Sequence, residues 1–550
     1  MRRRTAVPAP AARSAGVGVV VLATVAVISP TLRGYFIGDD FEELLGAGDR
    51  SAASTTTTHP GRNLRPLNQA LHALTTRWFG TSPLPHHLVA LALHLAVAGC
   101  VAWLMWEIGA RCRWRQRARE TAAWLAGVAF VLHPSHTEAV SWISARSDLL
   151  MSLGLVTCLA AWLRSQRVVH ARSWTTIAVL GAVVGMASKE PAVTIPLVAV
   201  VVDLAVCHPV EGALRRVVRR SWPLWLVLAA YIAVRSLALG TVKAESWSDE
   251  FIGGIPLPRL AAKWLVAVAR SLLPQLPAVG WAVAAITIAG TLTVVAVSAR
   301  RTRGPADAPW WRLPLLLVAA ASIHLAPVAK LGVASDTLGG DRFAYFPTAL
   351  LACAVVATAG RSLGAVSGEA ARSPLAWVGV TLSLVALGIP SLWAAQRRWQ
   401  DAAAQSEARV ISAVALERDT RTLVLNMPDS MDGAQIGRNA LGHDLVFAHG
   451  WRDAYAAEAA STYEVDPVNR GVDVALLPPR RLRVRLAGTS HFLEHAGAGQ
   501  RWAVEGVHVG VVDARTIDVT VDADAAALRP GGGGVWVVDD ARLRRVLAPG

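Results

Sequence analysis

Residues 86–109 read HHLVALALHLAVAGCVAWLMWEIG, an apolar run with no Lys or Arg and one carboxylate, Glu107. About 20 such residues suffice for a helix to cross the hydrocarbon core of a bilayer. Comparable runs lie at 15–32, 120–133, 148–165, 173–188, 192–208, 221–239, 278–299, 313–330, 344–361 and 375–395. Together they predict a polytopic α-helical membrane protein with about eleven transmembrane helices. Composition agrees. Hydrophobic residues make up 53% of the chain, charged residues 17%, and the mean hydropathy is +0.40; soluble domains carry about 25% charged residues.

The net charge of +15 is distributed in a telling way. Arginines gather in short loops between apolar runs: Arg2, Arg3, Arg4 and Arg13; Arg111 to Arg119; Arg164, Arg167 and Arg172; Arg215 to Arg220; Arg300 to Arg312. The positive-inside bias accounts for this and places the N-terminus in the cytoplasm, so no nucleic-acid partner is expected. Residues 1–32 read as a retained signal anchor. The five cysteines lie in or beside spans and imply neither a disulfide framework nor a metal site. The outer face of the expected bacterial inner membrane then receives the first loop, 33–85, with segments 134–147, 188–191, 240–277, 331–343 and everything after about 396. The stretch 259–274, with Lys263 and Arg270 among apolar residues, reads as an amphipathic helix at the interface.

Two domains follow from the change of composition near 395: a transmembrane part, 1–395, and an extracytoplasmic part, 396–550. In the latter, apolar stretches at 422–425, 482–486, 504–512 and 517–521 predict strands, separated by turn signals such as Met427-Pro428-Asp429 and Gly531–Gly534. A small α+β or mostly β domain is expected, opened by a helix near 398–416. No internal repeat is found.

Four segments of the outer face carry ionisable residues. Asp39-Asp40 begins an acidic stretch directly after the first span. It suits a solvated helix start, or a general base with a second carboxylate that positions it. His133-Pro134-Ser135-His136-Thr137-Glu138 has a zinc-like spacing, but Pro134 interrupts any regular helical face; the bland reading is hydrogen bonding at a cavity mouth. Glu138 and Arg146, with Asp148 close by, suit contacts to sugar hydroxyls or phosphate. Lys189 and Glu190 sit in a very short turn between spans, where ionisable groups face a protein interior or wet cavity; Lys189 either neutralises a lipid phosphate or pairs with Glu190. Asp341 and Arg342 enter the tenth span, Arg342 as a second phosphate ligand or as part of an interfacial anchor with Tyr345. His94, Asp203 and His324 read as helix–helix contacts.

In this order the segments resemble the transmembrane O-mannosyltransferases with tetratricopeptide repeats and their bacterial relatives. The matching residues are Asp39-Asp40, Arg65-Pro66-Leu67, His86-His87-Leu88 with His94, His133 to Val140 with Arg146 to Leu150, Ser188-Lys189-Glu190, and Asp341-Arg342 with Tyr345 and Pro347. The resemblance covers roughly residues 15–410. It implies the GT-C glycosyltransferase fold and transfer of a sugar, mannose in that family, from a polyprenyl-phosphate donor to a hydroxyl acceptor of a protein or glycan. It also implies a catalytic role for Asp39 or Asp40 without metal or other cofactor. The repeats expected after the last span are absent, and a strand-rich domain stands in their place. Competing functions on residues alone are a secondary transporter and a membrane scaffold for envelope glycan assembly.

Overall fold

Proline and glycine punctuate the helices of the computed structural model. The structure describes residues 24–48, 64–206, 212–240, 257–271, 311–328, 340–362, 374–413 and 416. In the C-terminal part it describes 422–431, 434–437, 456–463, 465, 470–477, 480–492, 500–504, 506–530 and 532–548. A 3-10 turn, Ser29–Arg33, leads to α1 (Asp40–Gly48). Pro66 opens α2 (Pro66–Phe79) and Pro83 opens α3 (Pro83–Arg111), each in the first turn, where a missing N–H breaks no intrahelical bond. There follow α4 (Gln116–Val131), the short α5 (Thr137–Ser141), α6 (Arg146–Ser165), α7 (Ala171–Ser188), α8 (Ile195–Val206), α9 (Ala213–Arg220), α10 (Trp222–Leu239), α11 (Leu257–Arg270), α12 (Arg312–Leu325) and α13 (Tyr345–Ser362). Stretches Pro83–Arg111, Ile143–Ser165, Trp222–Leu239 and Asp341–Ala359 are long and apolar enough to cross a membrane; Arg312–Val328 is apolar but shorter. The expected span at 278–299 and half of that at 15–32 lie outside the described residues.

One buried apolar core joins α3, α4, α6, α7, α8, α12 and α13. Within it α6 and α7 meet glycine against glycine. A Cβ on Gly154 of α6 would stand 2.6 Å from the Gly181 carbonyl oxygen and the Gly185 nitrogen of α7, and one on Gly181 would stand 2.7 Å from the Gly154 oxygen. Small residues four apart let helix backbones approach in this way where lipid removes the hydrophobic drive for association. Gly181→Leu is therefore expected to lower the thermal unfolding midpoint in detergent, at the upper end of the roughly 1–3 kcal/mol typical of overpacking. Gly99→Leu, with nothing within 4 Å of its Cβ, should leave the midpoint unchanged.

The last helix corrects one expectation. The span at 375–395 and the helix near 398–416 are a single helix, α14 (Pro374–Ser412), 39 residues long with Pro390 inside it. At 1.5 Å per residue it runs about 58 Å, long enough to carry the chain from the bundle into the C-terminal part without a break. Position 395 thus falls within α14, and strands begin at β1 (Thr422–Val424).

Beyond β1 come β2 (Ala456–Glu458), β3 (Val472–Leu477), β4 (Arg481–Leu486), β5 (Arg501–Val504), β6 (Val507–Asp513), β7 (Thr516–Val521), β8 (Gly534–Asp539) and β9 (Arg542–Leu547). Of the four sheets among the described residues, one has the order β9-β8-β1-β2, with β1 parallel to both neighbours; the largest has the order β5-β6-β7-β4-β3 and is antiparallel; the other two are short, of three strands and of two. β4 shows the alternation that makes such a sheet: Leu482, Val484 and Leu486 are buried while Arg481, Arg483 and Arg485 are exposed. Asp540 and Ala541, both at positive φ, form the tight hairpin between β8 and β9.

The strand-rich part packs on the loop before and within α1. Phe36, Phe41, Leu44 and Ile143 share a buried cluster with Val424, Met427, Trp536 and Val538. Ile37, Trp142 and Ala145 share another with Trp399, Ala402, Met431 and Ile436. The Gly38 N–H donates to the Ile436 carbonyl oxygen at 3.1 Å, at a turn where Gly38 has φ +49°.

Candidate active site

Asp39 and Asp40 are adjacent, but the turn into α1 sends them to different surroundings. Asp40 is fully buried. Its Oδ1 accepts from the Ser144 N–H and the Ser144 hydroxyl, both at 2.7 Å, and its Oδ2 from the Ile37 N–H at 3.1 Å. These bonds tie α1 to the 3-10 turn Ile143–Ala145. Asp39 is only half-buried. Burial pushes the Asp40 carboxyl from 3.8 up to about 7, against the opposing pull of the Ser144 and Ile37 hydrogen bonds and the Arg146 charge. The group is protonated in both states below about pH 4, and only in the folded state between there and about pH 7. Its contribution to stability is complete below the unfolded value and is lost as pH rises through the folded one. Thermal unfolding between pH 4 and 7 should thus show a fall in midpoint that Asp40→Asn flattens; an equal slope in the variant would refute the assignment.

Arg146, expected to meet phosphate, is completely buried. It donates through Nε to the Ile143 carbonyl at 3.1 Å and through Nη1 to the Thr75 hydroxyl at 3.2 Å, with Nη2 2.9 Å from His72 Nδ1. It braces α2 against the segment beneath α1.

The remaining charged residues form a chain of pairs. Lys189 pairs with Asp148, and Arg342 pairs through its guanidinium with Glu138, whose other oxygen accepts from the Arg342 N–H at 2.8 Å. Arg65 forks onto Glu190, with Nε 3.1 and 3.0 Å from its two oxygens and Nη2 at 2.7 Å. Arg235 approaches Glu190 at 3.9 Å, and Arg270 meets Asp341 at 2.9 Å. Arg342 stacks on both Trp142 and Phe343 at 4.7 Å, and Lys189 lies 5.4 Å from the Phe343 ring. Lys189 does not pair with its neighbour Glu190, because its extended backbone (φ −161°, ψ 145°) turns the two side chains apart.

Electrostatics bind these pairs into one site. Burial lowers the Lys189 ammonium to about 8; Asp148 opposes that fall, while Arg65 and Arg342 add to it. Burial would raise the Glu190 carboxyl, but the Arg65 charge and hydrogen bonds outweigh it and hold the group below its ordinary value. Arg65 also lies in the field of Glu43, whose N–H bonds the Asp39 carbonyl one turn back along α1. Side-chain exposure then decides which groups a ligand can reach. Arg65 (25%), Arg342 (19%) and Glu190 (16%) are open, whereas Lys189 (8%), Asp148 (1%) and Glu138 (1%) stand behind them.

His133 and His136 sit on a 3-10 turn that Pro134 starts. Their rings lie 5.3 Å apart, with His133 Nδ1 2.7 Å from the Ser135 hydroxyl and His136 Nε2 2.6 Å from the Thr348 hydroxyl. Among the described residues, no three His, Cys, Asp or Glu side chains come together as a metal-binding group. His94 bonds the Tyr345 hydroxyl at 2.6 Å, His324 the Thr194 hydroxyl at 2.8 Å, and Asp203 accepts from Gln166 at 2.8 Å, the helix–helix contacts expected of them. Sequence reasoning placed none of Arg65, Arg235, Arg270 and His72 in the site: Arg65 entered only among the residues of the resemblance and Arg270 only in the interfacial stretch 259–274. A lone arginine inside an apolar span, as at 235, is itself a signal of a buried polar site.

The fold and this cluster define a multi-pass membrane protein with a charged, partly open site at one end of its helices. No family model matches the chain. It is 32% identical over 160 residues to the protein O-mannosyl-transferase TMTC2 of Mus musculus, a match covering 28% of this chain and 18% of that protein. It is 34% identical over 164 residues to the Xenopus laevis protein O-mannosyl-transferase tmtc2 (28% and 18%), and 32% identical over 181 residues to Tmtc1 of Drosophila melanogaster (30% and 20%). The chain is thus a relative of these transmembrane O-mannosyl-transferases over those stretches, which span about a fifth of their length. Among solved structures it is similar to ArnT from Cupriavidus metallidurans bound to undecaprenyl phosphate, at 12% identity and a TM-score of 0.47, covering 93% of this chain and 99% of that one. It is also similar to the oligosaccharyltransferase AglB from Archaeoglobus fulgidus in complex with an inhibitory peptide and a dolichol-phosphate, at 12% identity and a TM-score of 0.41, over 81% and 64% of the two chains.

Proposed function

We propose that this protein is a GT-C-type glycosyltransferase that moves a sugar, mannose by kinship, from a polyprenyl-phosphate donor to a hydroxyl of a protein or glycan. The reaction takes place at the outer face of a bacterial inner membrane, with the N-terminus in the cytoplasm and the strand-rich part outside. The observation that carries this reading is the chain of paired charges in which Arg65 and Arg342 remain open, beside a turn that buries Asp40 and leaves Asp39 accessible.

The chemistry follows from those positions. Asp39 takes the proton of the acceptor hydroxyl as its oxygen attacks the anomeric carbon. The bond from that carbon to the phosphate oxygen breaks, and the polyprenyl phosphate departs with the electron pair. Asp40, with all three of its hydrogen bonds made to protein, holds the turn. Charge developing on the leaving phosphate meets Arg65 and Arg342, with Lys189 behind them; cations fixed in a partly dry site stabilise such charge without reorganising. A single displacement inverts the anomeric centre. Glu138, Asp148, Glu190 and Asp341 keep the cations in place, and Glu190 is open enough to accept from a sugar hydroxyl.

The full chain in proteoliposomes, given polyprenyl-phosphate mannose and a serine- and threonine-containing peptide, tests this. Peptide-dependent release of polyprenyl phosphate with an inverted glycosidic bond is expected. A product of retained configuration would overturn the single displacement, and turnover with a different lipid-linked sugar alone would overturn the mannose assignment.

A further inference from the structure

At the end of α8 remote from Lys189 and Glu190, the short helix α9 has the sequence ALRRVVRR. Ala213 and Val217 are buried against Val200 and Leu204 of α8, which fixes how the helix is turned. Everything else on it faces outward. Leu214 (61% exposed) and Val218 (47%) form an apolar stripe at four-residue spacing that continues to Trp222 (63%) at the start of α10. Arg215, Arg216, Arg219 and Arg220 are all exposed beside that stripe, and no acidic residue occurs between Ala213 and Leu239.

Water is a poor partner for this surface. Three large apolar side chains in line would stay wet, while four guanidiniums crowd one another within six residues. The neighbour that follows supplies the context: α10 is apolar yet mostly unburied within the protein, with Leu226 (60%) and Leu237 (88%) turned outward. Trp222 and Trp225 stand at its beginning, where aromatic residues mark the boundary between hydrocarbon and headgroups. A helix rich in arginine on its polar side, lying in the interface plane with its apolar side in the acyl boundary, binds anionic lipid most strongly.

We infer that α9 with the start of α10 is a binding site for anionic phospholipid, the arginines taking headgroup phosphates and Leu214, Val218 and Trp222 taking the acyl chains. The site is not isolated from the bundle. Arg220 acts on Asp203 of α8, which is buried, lies 3.8 Å from Arg111 and accepts from Gln166. Bound lipid therefore loads the end of a helix whose other end adjoins Glu190. The inference stands whether or not the chain transfers a sugar.

Native mass spectrometry of the full chain released from nanodiscs of phosphatidylcholine and phosphatidylglycerol in equal parts tests it. The wild type should retain phosphatidylglycerol in preference to phosphatidylcholine. The variant Arg215→Gln, Arg216→Gln, Arg219→Gln, Arg220→Gln should lose that preference, on the order of fivefold in apparent affinity for each arginine, while the same four positions as lysine should keep most of it. If the glutamine variant does not insert, raising ionic strength on the wild type gives the same discrimination, because exposed charge pairs are screened. Equal retention of the two lipids by the wild type, or a preference indifferent to both the glutamine variant and salt, would overturn the site.

Discussion

Asp39→Asn should abolish sugar transfer and leave the protein folded. Asp39 is half-buried at the head of α1, and Asp40 carries the side-chain hydrogen bonds from Ile37 and Ser144 that tie down that turn. Asparagine keeps the size and a helix-capping oxygen but cannot take a proton. Loss of a positioned general base costs about 10²- to 10⁴-fold, so kcat should fall by that factor with the KM for donor little changed. Asp40→Asn should behave differently. The amide can accept from Ser144, but its N–H₂ then opposes the Ile37 N–H, and an unsatisfied buried donor costs about 1–3 kcal/mol. Its damage should appear first in the unfolding midpoint. Full activity in Asp39→Asn, or identical profiles for the two variants, would remove the division of roles between the pair.

Lys189→Met carries the second large effect, and here stability and binding should separate. Lys189 and Asp148 are both buried and paired, so removing the cation strands the carboxylate; breaking one partner of a buried pair costs roughly 3–5 kcal/mol. Replacing both, as Lys189→Met with Asp148→Leu, should recover most of that loss, since apolar pairs of similar volume are tolerated in such places. Donor affinity should not recover with it, because Lys189 adds charge behind Arg65 and Arg342. Thermal unfolding and titration calorimetry with polyprenyl phosphate read the two quantities independently. A double variant that binds the phosphate as tightly as wild type would take Lys189 out of the site.

The helical elements were legible because their cause is local. An apolar run such as 86–109 predicts its helix from hydropathy alone, and the structure extends it by a few residues to Pro83 and Arg111. The strands at 481–486 and 516–521 followed from alternation in the same way. The four charged segments were also visible, as ionisable residues out of place among apolar ones. Their pairing was not. Arg65 finds Glu190 across 125 positions and Arg342 finds Glu138 across 204; no period or spacing encodes such a meeting, which depends on how helices stack. Lys189 shows the limit most plainly, for adjacency suggested Glu190 and backbone direction chose Asp148. The continuity of α14 was hidden for another reason: Pro390 and the change from apolar to polar residues look like an end, yet the helix runs on through both.

The contact between Gly38 and Ile436 has a consequence for how the protein comes into being. The turn that presents Asp39 is made early in synthesis, but its shape depends on residues made about 400 to 500 positions later: Ile436 for the hydrogen bond, then Trp536 and Val538 for the apolar seat of Phe36 and Phe41. The helices can enter the bilayer one after another as they emerge. The loop bearing Asp39 has no finished shape until the last strands have been made and docked on it, so the proposed site is incomplete through most of the chain's synthesis.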